Sequence, residues 1–362
     1  MNKNRRAYAV FVLASGLTLA SCSSVGPRTL TRDRFDYSTT VAESWKQQTL
    51  LNIVKLRYLD LPVFLDVGQI VSGYTVETSG TLGASTASGD VLTSNSASVG
   101  GGIRYTDRPT ITYTPLTGDK FLRGLMTPIQ PSSVFFLLQS GYAADFVMAL
   151  SVESLNGLRN PTSIQSAPGI AGSGFGQAIG LLRDIQRSGA LQFRVEIDPD
   201  RKDQTTVVFF RQESVGPEIV AKIEELRQVL KLEGNDGRFK LTHSPVPGGP
   251  GELAIQTRSM LQILLALAAT VDVPTQDLEE KRALPSPWGT GSSGLSELPF
   301  FVHNSDDRPD RVYAAVPYRD RWFWIDDADL RSKRAFGFVM FLFTLSDAGD
   351  NERMPVLTIP TG

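Results

Sequence analysis

Two stretches of alternating apolar and polar residues between Ile70 and Tyr113 constrain the fold more than any other feature of the sequence. The apolar residues stand largely at even positions in the first stretch and at odd positions in the second: Ile70, Tyr74, Val76, Leu82 and Ala84, then Ala97, Val99, Ile103, Tyr105, Ile111 and Tyr113. Because side chains of a strand alternate between its two faces, each stretch predicts a strand with one apolar face. The Ser-, Gly- and Asp-rich segment between them predicts the turn of a β-hairpin, and Pro109 predicts an edge or bulge position.

This hairpin has two interpretations. In the first, it packs one face on the domain core or forms a surface flap. In the second, it crosses a bilayer, for which a strand needs about 9–11 residues with alternate positions facing lipid. Lipid does not tolerate open strand edges, so the second interpretation requires a ring of subunits that each contribute one hairpin. Such an organisation is similar to that of ring-forming secretion-pore lipoproteins, and it would place Glu77, Asp107 and Pro109 near the membrane interfaces.

The N-terminal residues have the parts of a bacterial export signal. A basic start at Lys3, Arg5 and Arg6 is followed by the uncharged run AYAVFVLASGLTL at 7–19. A helix needs roughly 20 apolar residues to span a bilayer, and this run is shorter. We therefore expect residues 1–21 to be a cleaved signal peptide rather than a transmembrane helix.

The motif at the end of this signal, Leu19-Ala20-Ser21-Cys22, resembles the lipobox of bacterial lipoproteins. In that family the cysteine becomes the first residue of the mature chain and carries lipid on its sulfur and amine. The resemblance implies three acyl chains at Cys22, and stable anchoring takes more than one. The family's inner-membrane retention signal is usually Asp at the next position, where this chain has Ser23, so the resemblance implies the periplasmic side of the outer membrane. The alternative, a buried core cysteine, does not fit the end of an apolar signal run.

Composition excludes several classes of protein. The chain has 362 residues and a formal charge of −2, which becomes −5 once the three basic residues of the signal are removed. A mildly acidic chain with mixed charges gives no reason to expect a nucleic-acid partner. Cys22 is the only cysteine, so no disulfide is expected and burial alone must stabilise the fold. The length allows a sizeable core and two modules.

The remaining patterns predict an α+β fold in which helices pack on antiparallel sheets. We expect a lipidated tether at 22–37, an α+β body at 38–273 with the hairpin inserted at 70–113, a linker or surface loop at 274–299, and an aromatic-rich, strand-rich part at 300–362. Predicted helices lie within 40–58, 115–131, 131–161 (two, with a break at Gly141), 169–189, 217–232 and 259–271. Predicted strands lie at 62–71, 190–197, 204–212, 238–243, 251–258, 300–304, 311–318, 321–326, 336–345 and 355–360. The first helix is expected to start at Thr40, where Thr40 and Glu43 have capping-box spacing.

A carboxylate cluster, Asp326, Asp327 and Asp329, follows one of the aromatic strands. One interpretation is a pair of carboxylates for metal binding or for acid–base hydrolysis of glycan bonds in peptidoglycan. The other is a helix N-terminus, where aspartate accepts hydrogen bonds from free N–H groups and interacts favourably with the helix dipole. The acidic-then-basic order of DADLRSKRA favours the helix N-terminus.

Two further patterns give weaker indications of chemistry. His243 and His303 are the only histidines, and neither has the neighbours of a zinc site, so we expect structural or surface roles. A set of glycines, Gly172, Gly174 and Gly176, precedes a predicted helix, but their spacing and the preceding loop do not match a dinucleotide-binding motif. We expect neither cofactor nor metal.

The sequence therefore predicts a non-catalytic outer-membrane lipoprotein that acts by assembly or binding in the cell envelope, with the 70–113 hairpin either as an interaction element or as a ring-forming, pore-contributing element. Its expected partners are the membrane, through the N-terminal lipid, and other envelope proteins or further copies of itself. The alternative is a cell-envelope hydrolase that uses Asp326, Asp327 and Asp329.

Overall fold

The computed structural model describes residues 25–71, 74–89, 92–108, 110–162, 173–197, 204–213, 215–234, 237–285 and 298–347. The predicted signal peptide at 1–21, Cys22, Pro109 and the strand predicted at 355–360 lie outside the described residues. The described part of the chain is mixed, with nine helices and thirteen strands. The predicted α+β class is confirmed.

The elements follow the chain in this order. The helices are α1 (Val25–Arg57), α2 (Asp119–Met126), α3 (Pro131–Gln139), α4 (Ala144–Ser151), α5 (Ser173–Arg187), α6 (Pro217–Val229), α7 (Met260–Ala268), α8 (Thr275–Glu279) and α9 (Leu330–Asp347). The strands are β1 (Phe64–Val71), β2 (Tyr74–Gly89), β3 (Leu92–Asp107), β4 (Thr110–Leu116), β5 (Val152–Leu155), β6 (Leu158–Arg159), β7 (Leu191–Ile197), β8 (Gln204–Phe210), β9 (Arg238–His243), β10 (Glu252–Thr257), β11 (His303–Ser305), β12 (Val312–Tyr318) and β13 (Arg321–Asp326).

The described residues fall into two compact units. The first holds the residues up to Ser44 and those of 65–115, and the second holds 45–64 and the residues from 116 onward. In the first unit, β2 pairs antiparallel with β3, and β1 pairs with β4 in a second two-stranded sheet. The hairpin predicted at 70–113 is therefore present. The pairing of β1 with β4 continues beyond both of its predicted ends.

The second unit contains a six-stranded sheet and a three-stranded sheet. The strand order of the larger sheet is β6-β5-β10-β9-β8-β7, and that of the smaller is β11-β13-β12. Neighbouring strands of these two sheets pair antiparallel except β9 and β10, which run parallel. Helices α3 to α7 and α9 pack their apolar residues into one core cluster that includes Phe135, Phe175, Phe239, Phe300 and Phe336. The residues after 300 thus share their core with the body of the chain.

The first helix begins earlier than predicted. It starts at Val25, within the segment expected to be a tether, and Thr40 lies in its interior rather than at its N-terminus. The Thr40 hydroxyl donates to the carbonyl oxygen of Asp36 at 2.8 Å, a bond that a threonine inside a helix commonly makes. The predicted capping box at Thr40 and Glu43 is therefore wrong.

The strand predicted at 336–345 is also wrong, because these residues belong to α9. A continuous apolar run does not distinguish a buried strand from a buried helix. The buried positions in this run, Phe336, Phe338, Val339 and Leu342, follow helical spacing. The apolar residues here form a helix that contributes one face to the core.

A short hairpin replaces the end of the second helix predicted within 131–161. Strands β5 and β6 are joined by Asn156 and Gly157, whose φ angles are 46° and 83°. Two positive φ values are typical of a type I′ turn, for which Asn-Gly is the preferred sequence. In the segment predicted as a linker at 274–299, the short helix α8 occupies 275–279, and residues 286–297 lie outside the described part of the chain.

Candidate functional site

The register of β2 and β3 aligns the apolar positions of the two arms. Val76 lies opposite Tyr105, Leu82 opposite Val99, and Ala84 opposite Ala97. Positions two residues apart share a face, so these pairs belong to one face of the hairpin. A shift of one residue in the pairing would have mixed apolar with polar positions on both faces. The alternation predicted from sequence therefore produces an apolar face in the structure.

The opposite face is polar, and small hydroxyl side chains lie over glycine there. The Ser79 hydroxyl donates to the carbonyl oxygen of Gly102 at 3.4 Å, and the Thr81 hydroxyl donates to that of Gly100 at 3.3 Å. A Cβ atom at Gly100 would lie only 2.8 Å from Thr81 Oγ1. Glycine on β3 thus leaves room for the hydroxyl groups of β2, and the described residues of this face are largely solvent-exposed.

Both long edges of the hairpin are open in the described part of the chain, since β2 and β3 form a sheet of two strands. Each strand has 16 residues, which is roughly 50 Å of extended chain. A two-stranded hairpin by itself is at best marginally stable in water. Exposed edges of this length offer N–H and C=O groups that pair readily with another strand. The geometry therefore favours an interface along the edges.

Within β2 and β3, the charged residues Glu77, Arg104 and Asp107 lie in the half of the ladder away from the turn. Glu77 lies directly opposite Arg104, and Asp107 lies opposite Tyr74 at the first pair of the ladder. The pairs nearest the turn, from Thr86 with Asn95 to Gly89 with Leu92, contain no charged residue. A hairpin that crosses a bilayer would need any lipid-facing charge near an interface, and Asp107 belongs to the first pair of the ladder.

Asp329 lies at the N-terminus of α9. Its Oδ1 accepts hydrogen bonds from the backbone N–H groups of Arg331 (3.0 Å) and Ser332 (3.1 Å), and its Oδ2 accepts one from the Ser332 hydroxyl (2.5 Å). These are the bonds of an N-cap residue. Partial burial acts to raise the pKa of Asp329, but the hydrogen bonds from Ser332 and Arg331 outweigh it and hold the pKa below its usual value.

The two neighbouring carboxylates also contact α9 or the turn before it. Asp327 Oδ1 accepts a hydrogen bond from Lys333 Nζ at 2.6 Å, and Asp326 Oδ1 accepts one from the N–H of Ala328 at 2.8 Å. Within the described ranges, no three His, Cys, Asp or Glu side chains are grouped so that they could hold a metal ion. The contacts of the cluster are those expected at a helix N-terminus.

Replacing Asp329 by alanine is expected to lower the free energy of unfolding by about 1 kcal/mol, because two N–H groups and a hydroxyl lose their acceptor. Asparagine caps nearly as well, so Asp329→Asn should cost less at pH 7. A depressed pKa means that the ionised carboxylate contributes stability above the unfolded-state pKa of about 3.9, and that this contribution is lost as the pH falls through the folded-state pKa. The difference between wild type and Asp329→Asn should therefore shrink below about pH 4. Urea denaturation at pH 7 and in acid measures both effects; equal losses for the two variants at every pH would contradict the cap.

The two histidines, Gly174 and Gly176 lie within strands or helices of the fold. His303 stacks on Trp324 with ring centroids 4.5 Å apart, and His243 is exposed at the end of β9. Gly174 and Gly176 lie within α5, where a Cβ atom at Gly174 would lie 3.3 Å from Leu158; Gly172 lies outside the described residues. None of the helices in the described part of the chain combines the length and hydropathy of a membrane span.

A cluster of two tyrosines and two aspartates, which sequence analysis missed, connects the end of α1 to the β12–β13 turn. The Tyr58 hydroxyl donates to Asp277 Oδ2 at 2.6 Å, and the Tyr318 hydroxyl donates to the Asp60 carboxylate. Burial, together with the bond to Asp277, raises the pKa of Tyr58 above its usual value. The Arg319 guanidinium lies 4.8 Å from the centre of the Tyr58 ring. Protonated phenols held in this way act as hydrogen-bond donors that join distant parts of the chain.

A buried ion pair is the second feature that sequence analysis missed. Arg258 is 1% exposed, and its Nε donates to Glu153 Oε2 at 2.8 Å. Its remaining guanidinium nitrogens donate to the Thr162 hydroxyl at 3.2 Å and to the carbonyl oxygens of Ala149 and Leu150 at 3.4 Å. Asn160 accepts a hydrogen bond from the same Thr162 hydroxyl. This network joins the end of α4 to β5 through the guanidinium of Arg258.

Comparison of the chain with protein-family models, with curated proteins and with solved structures found no match in any of the three. Among the described residues, the hairpin is the feature that most favours pairing with another strand, because both of its long edges are open.

Proposed function

We propose that the protein is an outer-membrane-anchored lipoprotein that assembles with copies of itself into a ring, in which the hairpins of neighbouring subunits form the wall of a pore. The observation that carries this proposal is the register of β2 and β3, which pairs Val76 with Tyr105, Leu82 with Val99 and Ala84 with Ala97. The lipid at Cys22, implied by the lipobox resemblance, would hold each subunit at the membrane.

The length of the apolar face fits a bilayer. It runs from Tyr74 to Ala84 on β2 and from Ala97 to Tyr105 on β3, with Asp107 opposite Tyr74 at its end, which is about 34 Å of strand on β2 at 3.4 Å per residue. Spanning strands tilt by about 35–45°, so this length covers roughly 24–28 Å of the membrane normal, close to the apolar band of about 25 Å in such proteins. The remaining pairs of the ladder, from Ser85 with Ser96 to Gly89 with Leu92, would then lie beyond the far interface.

The open edges specify how copies would join. β2 and β3 run antiparallel within one subunit, so β3 of one copy can continue the sheet by pairing antiparallel with β2 of the next. Such head-to-tail contacts generate a ring when the rotation between copies closes. Closure gives every outward N–H and C=O group a partner, which is the condition for backbone in lipid.

Removing the outer part of the hairpin should abolish the ring. The variant lacks residues 79–102, and an Asn-Gly turn joins Thr78 to Ile103, which lie opposite each other in the ladder and so suit a two-residue turn. We expect the detergent-extracted, lipidated wild type to have the mass of a closed oligomer and the variant that of a monomer. Light scattering or native mass spectrometry measures this; a wild-type monomer, or an oligomer that survives the deletion, would contradict the proposal.

A pair of adjacent substitutions separates the two faces. Leu82→Arg puts a charge on the apolar face, which costs about 2–4 kcal/mol per subunit at the bilayer midplane, and it should abolish conductance in planar bilayers. Thr81→Arg puts the same charge on the polar face one residue earlier and should leave conductance in place. If both variants conduct like wild type, the hairpin is a surface flap.

A further inference from the structure

Within β2 and β3, the polar face carries one acidic and one basic position, and these two face each other; Arg108 follows directly after the end of β3. Among the odd positions of β2 and the even positions of β3, the charged residues are Glu77 and Arg104, and the others are Ser, Thr, Gly, Ala and Leu. Glu77 and Arg104 form a directly opposed pair in the ladder, and both are solvent-exposed. Opposite charges at directly opposed positions attract each other.

We infer that Glu77 and Arg104 form a ring of alternating charges in the conducting path and make the path nearly unselective between cations and anions. The inference rests on the proposed pore. Each copy adds one charge of each sign at the same level of the ladder, so the ring carries no net charge whatever the number of subunits. Rings of a single sign make pores selective, and here the two signs offset each other.

The rest of the path adds no charge to this ring. From Ser79 and Gly102 to Ala87 and Ser94, the positions that share this parity in the ladder are Ser, Thr, Gly and Ala, none of which is charged. The described hydroxyls of Ser79 and Thr81 donate to backbone carbonyl oxygens of β3. Such a surface provides neutral hydrogen-bonding groups, so the solutes that it accepts are small polar molecules and ions of either sign.

Removing one member of the pair should expose the charge of the other. With a KCl gradient across a planar bilayer, we expect the wild type to have a reversal potential near zero. Glu77→Gln leaves a ring of arginines and should favour anions by about threefold or more, and Arg104→Gln should favour cations to a similar extent. The double variant should return to near zero. Asp119→Asn, at an exposed site outside the hairpin, is the matched control and should not change the reversal potential.

The outcomes distinguish this inference from the proposal beneath it. Conductance whose reversal potential does not move in either single variant would show that the pair lies outside the path and would overturn this inference alone. A strongly selective wild type would do the same. A preparation that forms rings without conductance would overturn both the pore and the ring of charges. The mass of each variant, measured as for the wild type, shows that assembly is intact.

Discussion

Replacing Glu153 by alanine is expected to lower the free energy of unfolding by about 3–5 kcal/mol, because it leaves the charge of Arg258 buried without its carboxylate. Arg258 is 1% exposed, and the distance from its Nε to Glu153 Oε2 is 2.8 Å. The three other oxygen atoms around the guanidinium belong to neutral groups, and neutral acceptors do not compensate a buried charge as a carboxylate does. Chemical denaturation measures the loss as a lower midpoint.

Two comparisons test the cause of that loss. Asp119→Ala breaks an ion pair with Arg123 in which both side chains are 77% exposed, and it should cost less than about 1 kcal/mol. Replacing both Glu153 and Arg258 by methionine removes the two charges together and should cost less than Glu153→Ala alone. If Glu153→Ala costs no more than Asp119→Ala, the buried pair contributes little to stability.

The hairpin could be predicted from the sequence because its signal is local and periodic. Alternation at every second residue fixed which positions share a face, and the register of β2 with β3 agrees with it where Val76 lies opposite Tyr105, Leu82 opposite Val99 and Ala84 opposite Ala97. The Asn156-Gly157 turn was also present as a local signal, since Asn-Gly between apolar residues is typical of a type I′ hairpin. The sequence nevertheless predicts a helix over this turn, because the preceding residues have helical spacing.

Residues 336–345 show where such local reasoning fails. Aromatic and β-branched residues favour a strand by propensity, but the run is apolar at nearly every position and its period is therefore ambiguous. Asp329 decides the outcome by capping a helix that starts at Leu330. The capping aspartate and the basic residues after it are visible in the sequence. They indicate a helix more strongly than the composition of the run indicates a strand.

The buried ion pair and the tyrosine cluster could not be predicted, for a different reason. Glu153 and Arg258 are 105 residues apart in the chain, and Tyr58 and Asp277 are 219 apart. Their contacts exist because the sheet and helices bring distant segments together, and no spacing rule connects such residues. Functional sites differ in the same way. The pattern of the hairpin is local and visible in the sequence, whereas catalytic residues that come together only in the folded chain would leave no comparable pattern.

Replacing Cys22 by serine is expected to remove the protein from the outer-membrane fraction almost completely. The lipobox resemblance assigns the lipid to the cysteine sulfur and amine, and serine lacks the thiol that accepts the first lipid. A single acyl chain gives only marginal, reversible membrane binding, so a chain without lipid should not stay with the outer membrane. Because the first lipid is not added, we expect the chain to remain an unprocessed precursor that carries residues 1–21. Cell fractionation, with the mass of the recovered chain, measures both effects.

Ser23→Asp is the matched variant for this experiment. It keeps the lipobox and the lipid but places the usual inner-membrane retention residue of the lipoprotein family after the cysteine, so we expect a lipidated chain in the inner-membrane fraction. Ring formation depends on the hairpin edges in the proposal, whereas location depends on residues 19–23. The two variants should therefore change location without changing the fold of residues 45–347. Cys22→Ser that still fractionates with outer membrane would show that the chain is held there by another part of the protein, and the lipid would no longer explain its location.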